Sequence, residues 1–341
     1  MSKVITFGEI MLRLSPPNHK RIFNATEFEI NYGGAEANVA SSLAQLGLEA
    51  YFVTKLPENE LGRAVLGHLR RFNVKTDYIA LGGERLGIYF LEIGASQRPS
   101  KVIYDRKGSA FSQSKPDDYN WDEIFEGASW FHFTGITPAL GGDLPNILLE
   151  ALKKAKEKGI TTSCDLNYRK NLWSPEKANE VMSKLIEYVD IALGNEEDAE
   201  KVFGIKSENT DFATGKLNRE GYIEVAKKLK ERFNLKAVAI TLRESISATV
   251  NEWSALLFEE DTPYFSHKYR IDYIVDRVGG GDSFAAGLIY GFIKEMPPQE
   301  KVNFAVALSC WKHTVPGDFN IFTPAEISKL ASGYTSGRVE R

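Results

Sequence analysis

A run of glycines in the last quarter of the chain constrains the fold more than any other feature. Gly279, Gly280 and Gly281 run directly into Asp282 and Ser283, and an apolar helical pattern follows. The backbone of such a loop must adopt angles that only glycine takes at low cost. The free N–H groups at the start of a helix, together with the helix dipole, favour an anion. The sequence therefore predicts an anion site whose donors are the three glycine amides.

A carboxylate within an anion site is electrostatically unfavourable unless it has a chemical role. We predict that Asp282 accepts the proton of a hydroxyl group that attacks a phosphorus atom, while the amides of Gly279, Gly280 and Gly281 hold the phosphoryl group. The residues leave one alternative open, a tight glycine turn in which Asp282 only caps the following helix.

Strand-like and helical segments alternate along most of the chain. Strands are predicted at 4–8, 50–54, 160–166, 190–194 and 237–242, and helices at 35–46, 61–72, 144–158, 196–203, 222–233, 283–294 and 299–313. Such alternation is typical of a mainly parallel sheet that is covered by helices on both faces. We therefore expect an α/β fold.

One region departs from this alternation. Residues 27–32 alternate polar and apolar side chains with a period of two, and 88–93 and 101–106 resemble two strands with no helix between them. This pattern indicates a small antiparallel sheet with one wet face, which we interpret as a lid. An edge hairpin without function is the alternative. Without an internal repeat or a linker, residues 1–341 are expected to form a single domain, with the lid inserted as segments of about 12–33 and 86–108.

Composition excludes several classes of protein. The 42 Lys and Arg against 46 Asp and Glu give a net charge of −4, which is unfavourable for binding nucleic acid. Cys164 and Cys310 make neither a disulfide framework nor a four-ligand zinc site. No apolar run approaches the roughly 20 residues that span a bilayer, and no signal-peptide pattern precedes residues 4–7. We expect a reduced, cytoplasmic setting with no membrane partner, and we assign no residue as a metal ligand.

Two motifs, in this order, resemble the signature regions of the ribokinase-like (PfkB) family of sugar kinases. They are residues 33–40, Gly-Gly-Ala-Glu-Ala-Asn-Val-Ala, and 276–287, Asp-Arg-Val-Gly-Gly-Gly-Asp-Ser-Phe-Ala-Ala-Gly. Segments 8–17, 104–106, 165–169 and 312–320 further resemble the branch of that family that acts on 2-keto-3-deoxygluconate.

The resemblance covers essentially the whole chain. It implies a Rossmann-like ribokinase fold, a β-lid over the sugar, and phosphoryl transfer from ATP to the terminal hydroxyl of a sugar acid. It also implies Mg²⁺ with the ATP. We further expect a homo-oligomer, and a requirement for a monovalent cation stays open. A neutral sugar such as fructose is the alternative substrate for the same machinery.

The first motif is predicted to form the floor of the sugar site. Gly33 and Gly34 would let the backbone approach a ligand closely, and Asn38 offers both a donor and an acceptor to hydroxyl groups. A helix start with a solvated Asn38 is the alternative. Tyr89 and Tyr104, on the lid strands, would extend over the sugar or would serve only in packing.

The substrate carboxylate is expected to bind arginine, because a guanidinium group presents a planar fork of donors to a carboxylate. Arg106 on the lid and Arg169 after a predicted strand are the candidates. Either one could instead form a solvated surface salt bridge of little energetic value. Asp318 matches a substrate-binding acid of the resembled branch, although by its local sequence it is only a turn residue.

The resemblance implies an ATP site as well. Its residues are Asn167, Asn195, Thr241, Arg243, Gly279 and Gly281. Asp198 stands where the family has the Glu of an Asn-x-x-Glu pattern, and it could act near the magnesium or only favour a helix N-terminus. Arg243 replaces a glycine that relatives often have, and a cation there is compatible with ATP.

Two other classes of function are less compatible with the sequence. A dinucleotide-dependent oxidoreductase would need a Gly-x-Gly-x-x-Gly loop after the first strand, whereas 4–8 leads into Glu9-Ile10-Met11. A sugar-binding regulator without catalysis is expected to lack the base, and Asp282 is present.

Overall fold

The computed structural model describes residues 2–207 and 218–334. The strands in these residues are β1 (Lys3–Phe7), β2 (Met11–Ser15), β3 (Glu29–Gly33), β4 (Glu49–Leu56), β5 (Ile79–Leu81), β6 (Ile88–Glu92), β7 (Lys101–Asp105), β8 (Ala128–Thr134), β9 (Thr161–Asp165), β10 (Ile191–Gly194), β11 (Ala237–Ser245), β12 (Asn251–Glu259), β13 (Thr262–Phe265) and β14 (Tyr269–Ile271). The helices are α1 (Ala35–Gln45), α2 (Glu60–Arg71), α3 (Trp121–Ile124), α4 (Ile136–Ala139), α5 (Leu144–Glu157), α6 (Pro175–Leu185), α7 (Glu196–Phe203), α8 (Arg219–Phe233), α9 (Gly280–Ile293), α10 (Pro298–Lys312) and α11 (Pro324–Ala331).

The larger of two sheets has the strand order β13-β12-β11-β10-β9-β8-β1-β4-β5, with β14 also paired to β12. The strands from β11 to β5 are all parallel to their neighbours, and β12, β13 and β14 add an antiparallel edge. Buried side chains pack on both faces. Val4 of β1 belongs to one core, whereas Ile5 and Phe7 belong to the other. This confirms the predicted α/β fold with a mainly parallel sheet.

The smaller sheet has the order β3-β2-β6-β7. Its outer pairs are antiparallel, as predicted, but its central strands β2 and β6 are parallel. The cause is the topology, since β2 follows β1 and β6 follows β5, and β1 and β5 point in the same direction in the larger sheet. The two hairpins therefore leave the larger sheet at the same edge and run side by side.

Two helix N-termini meet beside the smaller sheet. Helix α1 begins after Gly34, and α9 begins after Gly279, whose φ of 82° lies in the left-handed region that glycine adopts readily. The two helices pack against each other. This packing brings residues 33–38 and 279–282, which are distant in sequence, to the same place.

The two cysteines lie in different parts of the core, Cys310 on one face of the larger sheet and Cys164 on the other. Both Cys164 and Cys310 are buried with free thiols. None of the helices within residues 2–207 and 218–334 has both the length and the apolar character required to cross a membrane.

Candidate active site

A cleft of about 790 Å³ lies between the smaller sheet, the N-termini of α1 and α9, and the carboxyl ends of the parallel strands. This volume is in the range of small-molecule sites. The cleft is lined by all of the site residues predicted from the sequence, namely Gly33, Gly34, Asn38, Tyr89, Tyr104, Arg106, Asn167, Arg169, Asn195, Thr241, Arg243, Gly279, Gly280, Gly281, Asp282 and Asp318.

Asp282 lies in the first turn of α9, and its carboxylate is half-buried. Its Oδ2 accepts a hydrogen bond of 2.6 Å from Nδ2 of Asn38. Burial raises the pKa of Asp282 to about 6, against the lowering effects of the Asn38 hydrogen bond and of the positive charge on Arg169. A carboxylate with such a pKa is ionised at neutral pH and is a stronger proton acceptor than an ordinary aspartate.

The glycine loop is packed on one side and open on the other. A Cβ atom on Gly279 would lie 2.2 Å from the carbonyl oxygen of Asp318, and one on Gly280 would lie 2.6 Å from Cε1 of His313. A Cβ on Gly281 would meet no atom within 4 Å. The first two glycines are therefore required by contacts with the protein, whereas Gly281 leaves open space at the cleft.

The glycines of the floor are also explained by packing. A Cβ on Gly33 would lie 2.0 Å from Oδ2 of Asp318, and one on Gly34 would lie 1.9 Å from the carbonyl oxygen of Glu9. The amide of Gly34 donates to Oδ1 of Asn38 at 3.3 Å, so that both polar ends of the Asn38 side chain are engaged. Asn38 is thus held at Asp282 and is not solvated.

A buried ionic cluster, which the sequence analysis missed, lies beneath the loop. Arg13 of β2 pairs through Nη1 with Asp318 at 2.8 Å and through Nη2 with Asp276 at 2.6 Å. The hydroxyl of Tyr89 donates to Oδ2 of Asp318. Asp318 and Tyr89 are almost fully buried, so their observed contacts are with the protein, and direct contacts with a sugar stay a prediction. The charges of Arg13, Asp276 and Asp318 could not be recognised as a cluster from sequence positions so far apart.

The two candidate arginines differ in how many of their hydrogen-bond donors are free to bind a substrate carboxylate. Nε of Arg106 donates to Oε2 of Glu9 at 2.8 Å, and Glu9 is almost fully buried. Arg169 is exposed, and its Nη1 donates to the carbonyl oxygen of Tyr168 at 3.1 Å. A bound carboxylate could therefore use Arg169 directly, whereas Arg106 would have to share its donors with Glu9.

The other end of the cleft holds the predicted ATP residues. The Oδ1 of Asn195 accepts from two amides at the start of α7, those of Glu197 and Asp198, at 2.8 and 3.1 Å. Both oxygens of Asp198 accept from backbone amides, those of Tyr168 and Asn195, at 2.8 and 2.9 Å. Asp198 therefore caps the helix, which agrees with the structural interpretation left open by the sequence.

A second cation lies close to Arg243 in this part of the cleft. Arg277 lines the cleft and donates through Nη2 to the carbonyl oxygen of Ala248 at 2.6 Å. Burial and the charge of Arg243 lower the pKa of Arg277. The hydroxyl of Thr241 lies 3.5 Å from the carbonyl oxygen of Gly194. Arg277 was not predicted, although it lies inside the second motif, because a single arginine beside an acid has no distinctive pattern.

The carboxylates of the cleft do not form a preformed metal site. Within the described residues, no group of three or more His, Cys, Asp or Glu side chains is placed to hold a metal ion. Asp165 lines the cleft near Asp198 and Asp282, and burial together with these neighbouring charges raises its pKa well above the usual value.

Comparison with known proteins extends these observations. The profile of the family described as pfkB family carbohydrate kinase matches residues 1–324. The chain is 34% identical over 337 residues to the 2-dehydro-3-deoxygalactonokinase of Haloferax volcanii, with 98% of both chains covered. It is 27% identical over 336 residues to the 2-dehydro-3-deoxygluconokinase of Bacillus subtilis, with 98% of this chain and 96% of that one covered. The crystal structure of a 2-dehydro-3-deoxygluconokinase from Thermotoga maritima superposes with a TM-score of 0.95 at 61% identity, covering 98% of this chain and 100% of the other.

Proposed function

The chain belongs to the pfkB family of carbohydrate kinases, and we propose that it transfers the γ-phosphate of ATP to the terminal hydroxyl of 2-keto-3-deoxygluconate, also called 2-dehydro-3-deoxygluconate. The observation that carries the proposal is the hydrogen bond of 2.6 Å between Asn38 and Asp282, beside the glycine loop and within reach of the charge on Arg169. The names of the Bacillus subtilis and Thermotoga maritima proteins, both 2-dehydro-3-deoxygluconokinases, support the choice of substrate.

In the proposed reaction, Asp282 takes the proton of the terminal hydroxyl group of the sugar acid. The oxygen of that hydroxyl group forms a bond to the γ-phosphorus at the same time. The bond between that phosphorus and the bridging oxygen of ATP breaks, and ADP leaves. The amides of Gly279, Gly280 and Gly281 stabilise the charge on the transferring group, and losing one donor of this kind typically costs about 100- to 1000-fold in rate.

The sugar acid would be oriented by its charge and its hydroxyl groups. Arg169 would bind the carboxylate, with Arg106 as a second cation whose position is fixed by Glu9. Asn38 would bind a hydroxyl group near Asp282. Tyr104, which is exposed on β7 and packs against Tyr89, would cover the sugar from the smaller sheet.

The nucleotide would occupy the end of the cleft that carries Arg243 and Arg277 beside Asn167, Asn195 and Thr241. Two guanidinium groups in one part of a cleft suit a triphosphate, which is strongly anionic. Magnesium would be held largely by phosphate oxygens and water and would neutralise part of the phosphate charge. A monovalent cation would be revealed by a dependence of kcat on added KCl compared with an equal concentration of a tetraalkylammonium chloride.

The test is ATP turnover by the purified protein, coupled to ADP detection, on three acceptors. These are 2-keto-3-deoxygluconate, its C4 epimer 2-keto-3-deoxygalactonate, and fructose. We expect kcat/KM for the first acid to exceed that for fructose by at least about 100-fold, because the neutral sugar offers no carboxylate to the exposed guanidinium group of Arg169. Efficient use of fructose with no turnover of either acid would refute the proposed substrate. The epimer is included because the Haloferax relative is named for it.

Assembly into a homo-oligomer and a cytoplasmic location also stay predictions. Apolar side chains on the smaller sheet, among them Ile30, Val102 and Ile103, are exposed, and they would be covered in an assembly. Size-exclusion chromatography with light scattering measures the assembly directly, and a mass of one chain at micromolar concentration would contradict it.

A further inference from the structure

Lys312, the last residue of α10, is buried without a partner. Its side chain is 0% exposed, and its Nζ has no hydrogen-bond partner among the described residues. A lysine is almost never fully buried unless it is paired. No role was assigned to it above, and it does not line the cleft.

The position of Lys312 connects it to the glycine loop. Its Cε would lie 3.3 Å from a Cβ atom placed on Gly279. The same end of α10 holds the loop through two further contacts. The hydroxyl of Ser309 donates to the carbonyl oxygen of Gly280 at 2.7 Å, and the amide of Val275 donates to the carbonyl oxygen of His313 at 2.8 Å. The side chain of Lys312 thus lies behind the loop, on the side away from the cleft.

The charges around Lys312 act in opposite directions on its ammonium group. Burial lowers the pKa of Lys312 and the charge of Arg13 acts in the same direction, whereas the carboxylates of Asp276, Asp318 and Asp282 favour the charged form. Arg13, Asp276 and Asp318 together carry one net negative charge, because Arg13 offsets only one of the two carboxylates. The ammonium group of Lys312 brings this set of four buried groups to neutrality. Without it, a net negative charge would lie directly behind the loop that has to accept a phosphoryl group.

We propose that Lys312 is a positioning residue for phosphoryl transfer, an inference that rests on the proposed kinase function. Its ammonium charge, buried behind Gly279, offsets the carboxylates of the cluster, so that the loop keeps its affinity for an anion and Asp282 stays ionised. The charged groups that face Asp282 from other elements are Asp165 at the end of β9, Arg169 from the segment after β9, Asp318 from the segment after α10, and Lys312 itself.

The test is the variant Lys312→Met, which keeps the length of the side chain and removes its charge. Lys301→Met is the matched control, because Lys301 lies on the same helix, is also buried, and pairs with Glu259 at 2.6 Å away from the cleft. We expect Lys312→Met to lower kcat by at least about tenfold while the KM for the sugar stays within about threefold. We also expect the acidic limb of the pH profile of kcat/KM to move to higher pH by about 1 unit, since a nearby cation favours the ionised carboxylate.

Lys301→Met should lower Tm and leave both kcat and the pH profile unchanged. A value of kcat for Lys312→Met within about twofold of the wild type would overturn the inference. So would a lower Tm and kcat with an unmoved acidic limb, because this result would assign Lys312 a purely structural role.

If Lys312→Met does not fold, Lys312→Gln, which retains donors for the same carboxylates, is compared in its place. If the wild type does not use the sugar acid, the proposed substrate fails, and the comparison is made with the sugar that it does phosphorylate.

Discussion

The pKa of Asp282 gives the sharpest prediction from the site. A general base must be ionised to act, and burial raises the pKa of Asp282 from 3.8 to about 6. With this value the carboxylate is about nine-tenths ionised at pH 7 and about one-tenth ionised at pH 5. We therefore expect kcat/KM to be constant above about pH 7 and to fall roughly tenfold for each unit below pH 6.

Replacing the base should have opposite effects on activity and on stability. Asp282→Asn should lower kcat by about 100- to 10,000-fold, the usual contribution of a general base. The raised pKa of the native carboxyl group means that its ionisation costs free energy in the folded protein. A shift of about two units corresponds to at most about 3 kcal/mol, and solvent at the half-buried carboxylate reduces this. The neutral variant should therefore have a Tm roughly 2–5 °C above that of the wild type at pH 7.

The pH dependence of this stabilisation can be derived from the two pKa values. Below about pH 4 the native carboxyl group is protonated, so the wild type loses no stability there. Between about pH 4 and pH 6 the unfolded chain ionises this carboxyl group while the folded protein keeps it protonated, so wild-type stability falls over this range, and the advantage of Asp282→Asn reaches its full size above about pH 6. Thermal melts and kcat/KM, measured between pH 4 and 8 in one buffer series, test both effects. ATP also titrates in this pH range. Dividing the wild-type kcat/KM by the residual kcat/KM of the variant at each pH removes the contribution of ATP. Wild-type kcat/KM that stays constant down to pH 5, or a variant with full turnover, would refute the role of Asp282.

Three further perturbations test other parts of the site. Arg169→Ala should raise KM for the sugar acid by about 10- to 100-fold with a smaller effect on kcat, and an equal loss with fructose would contradict a role in carboxylate binding. Gly279→Ala should destabilise the fold by more than about 1 kcal/mol in urea melts, because its φ is 82° and its Cβ would meet the Asp318 carbonyl oxygen; Gly281→Ala, which has free space, should unfold like the wild type. Arg13→Met should cost about 3–5 kcal/mol in the same urea melts, because it leaves two buried carboxylates without their cation, and a loss below about 1 kcal/mol would show that the cluster contributes little.

The elements that could be predicted from the sequence are those with a local pattern. The apolar spacing of 35–46 predicted α1, which ends one residue earlier, and Gly47 after it has a positive φ of 82°. The glycine loop before α9 and the segment before α1 that alternates with a period of two were likewise predicted from patterns of only a few consecutive residues. Segment 251–271 was not predicted, although it forms the antiparallel edge of the larger sheet. Among its strands, β12 is buried along most of its length through pairing with β11 and packing against α10. A short, mostly apolar run such as 253–258 does not by itself distinguish a strand from a segment of a buried helix.

The parts of the site that could not be predicted are contacts between distant residues. Arg106 was assigned to the substrate because an arginine in isolation shows only its charge, and its pairing with Glu9 depends on how the smaller sheet meets the larger one. The same holds for Arg13 and Asp318, which are 305 residues apart in sequence. Arg106 and Asp318 were predicted to lie in the cleft, but the protein groups that pair with them were not foreseen, and Arg13 was not predicted as a site residue.

The ionic cluster also determines how the smaller sheet can take part in catalysis. Arg13 belongs to β2, at the centre of that sheet, whereas Asp276 and Asp318 belong to the segments that hold the glycine loop. Breaking a buried ion pair typically costs about 3–5 kcal/mol, which is a large fraction of the stability of a folded domain. We infer that β2 stays attached to the anion site throughout turnover and that any movement on sugar binding is confined to the outer strands β3 and β7. Amide hydrogen exchange with and without the sugar acid tests this: protection should increase around Tyr104 and stay unchanged around Arg13. Increased protection at Arg13 would show instead that the whole sheet moves.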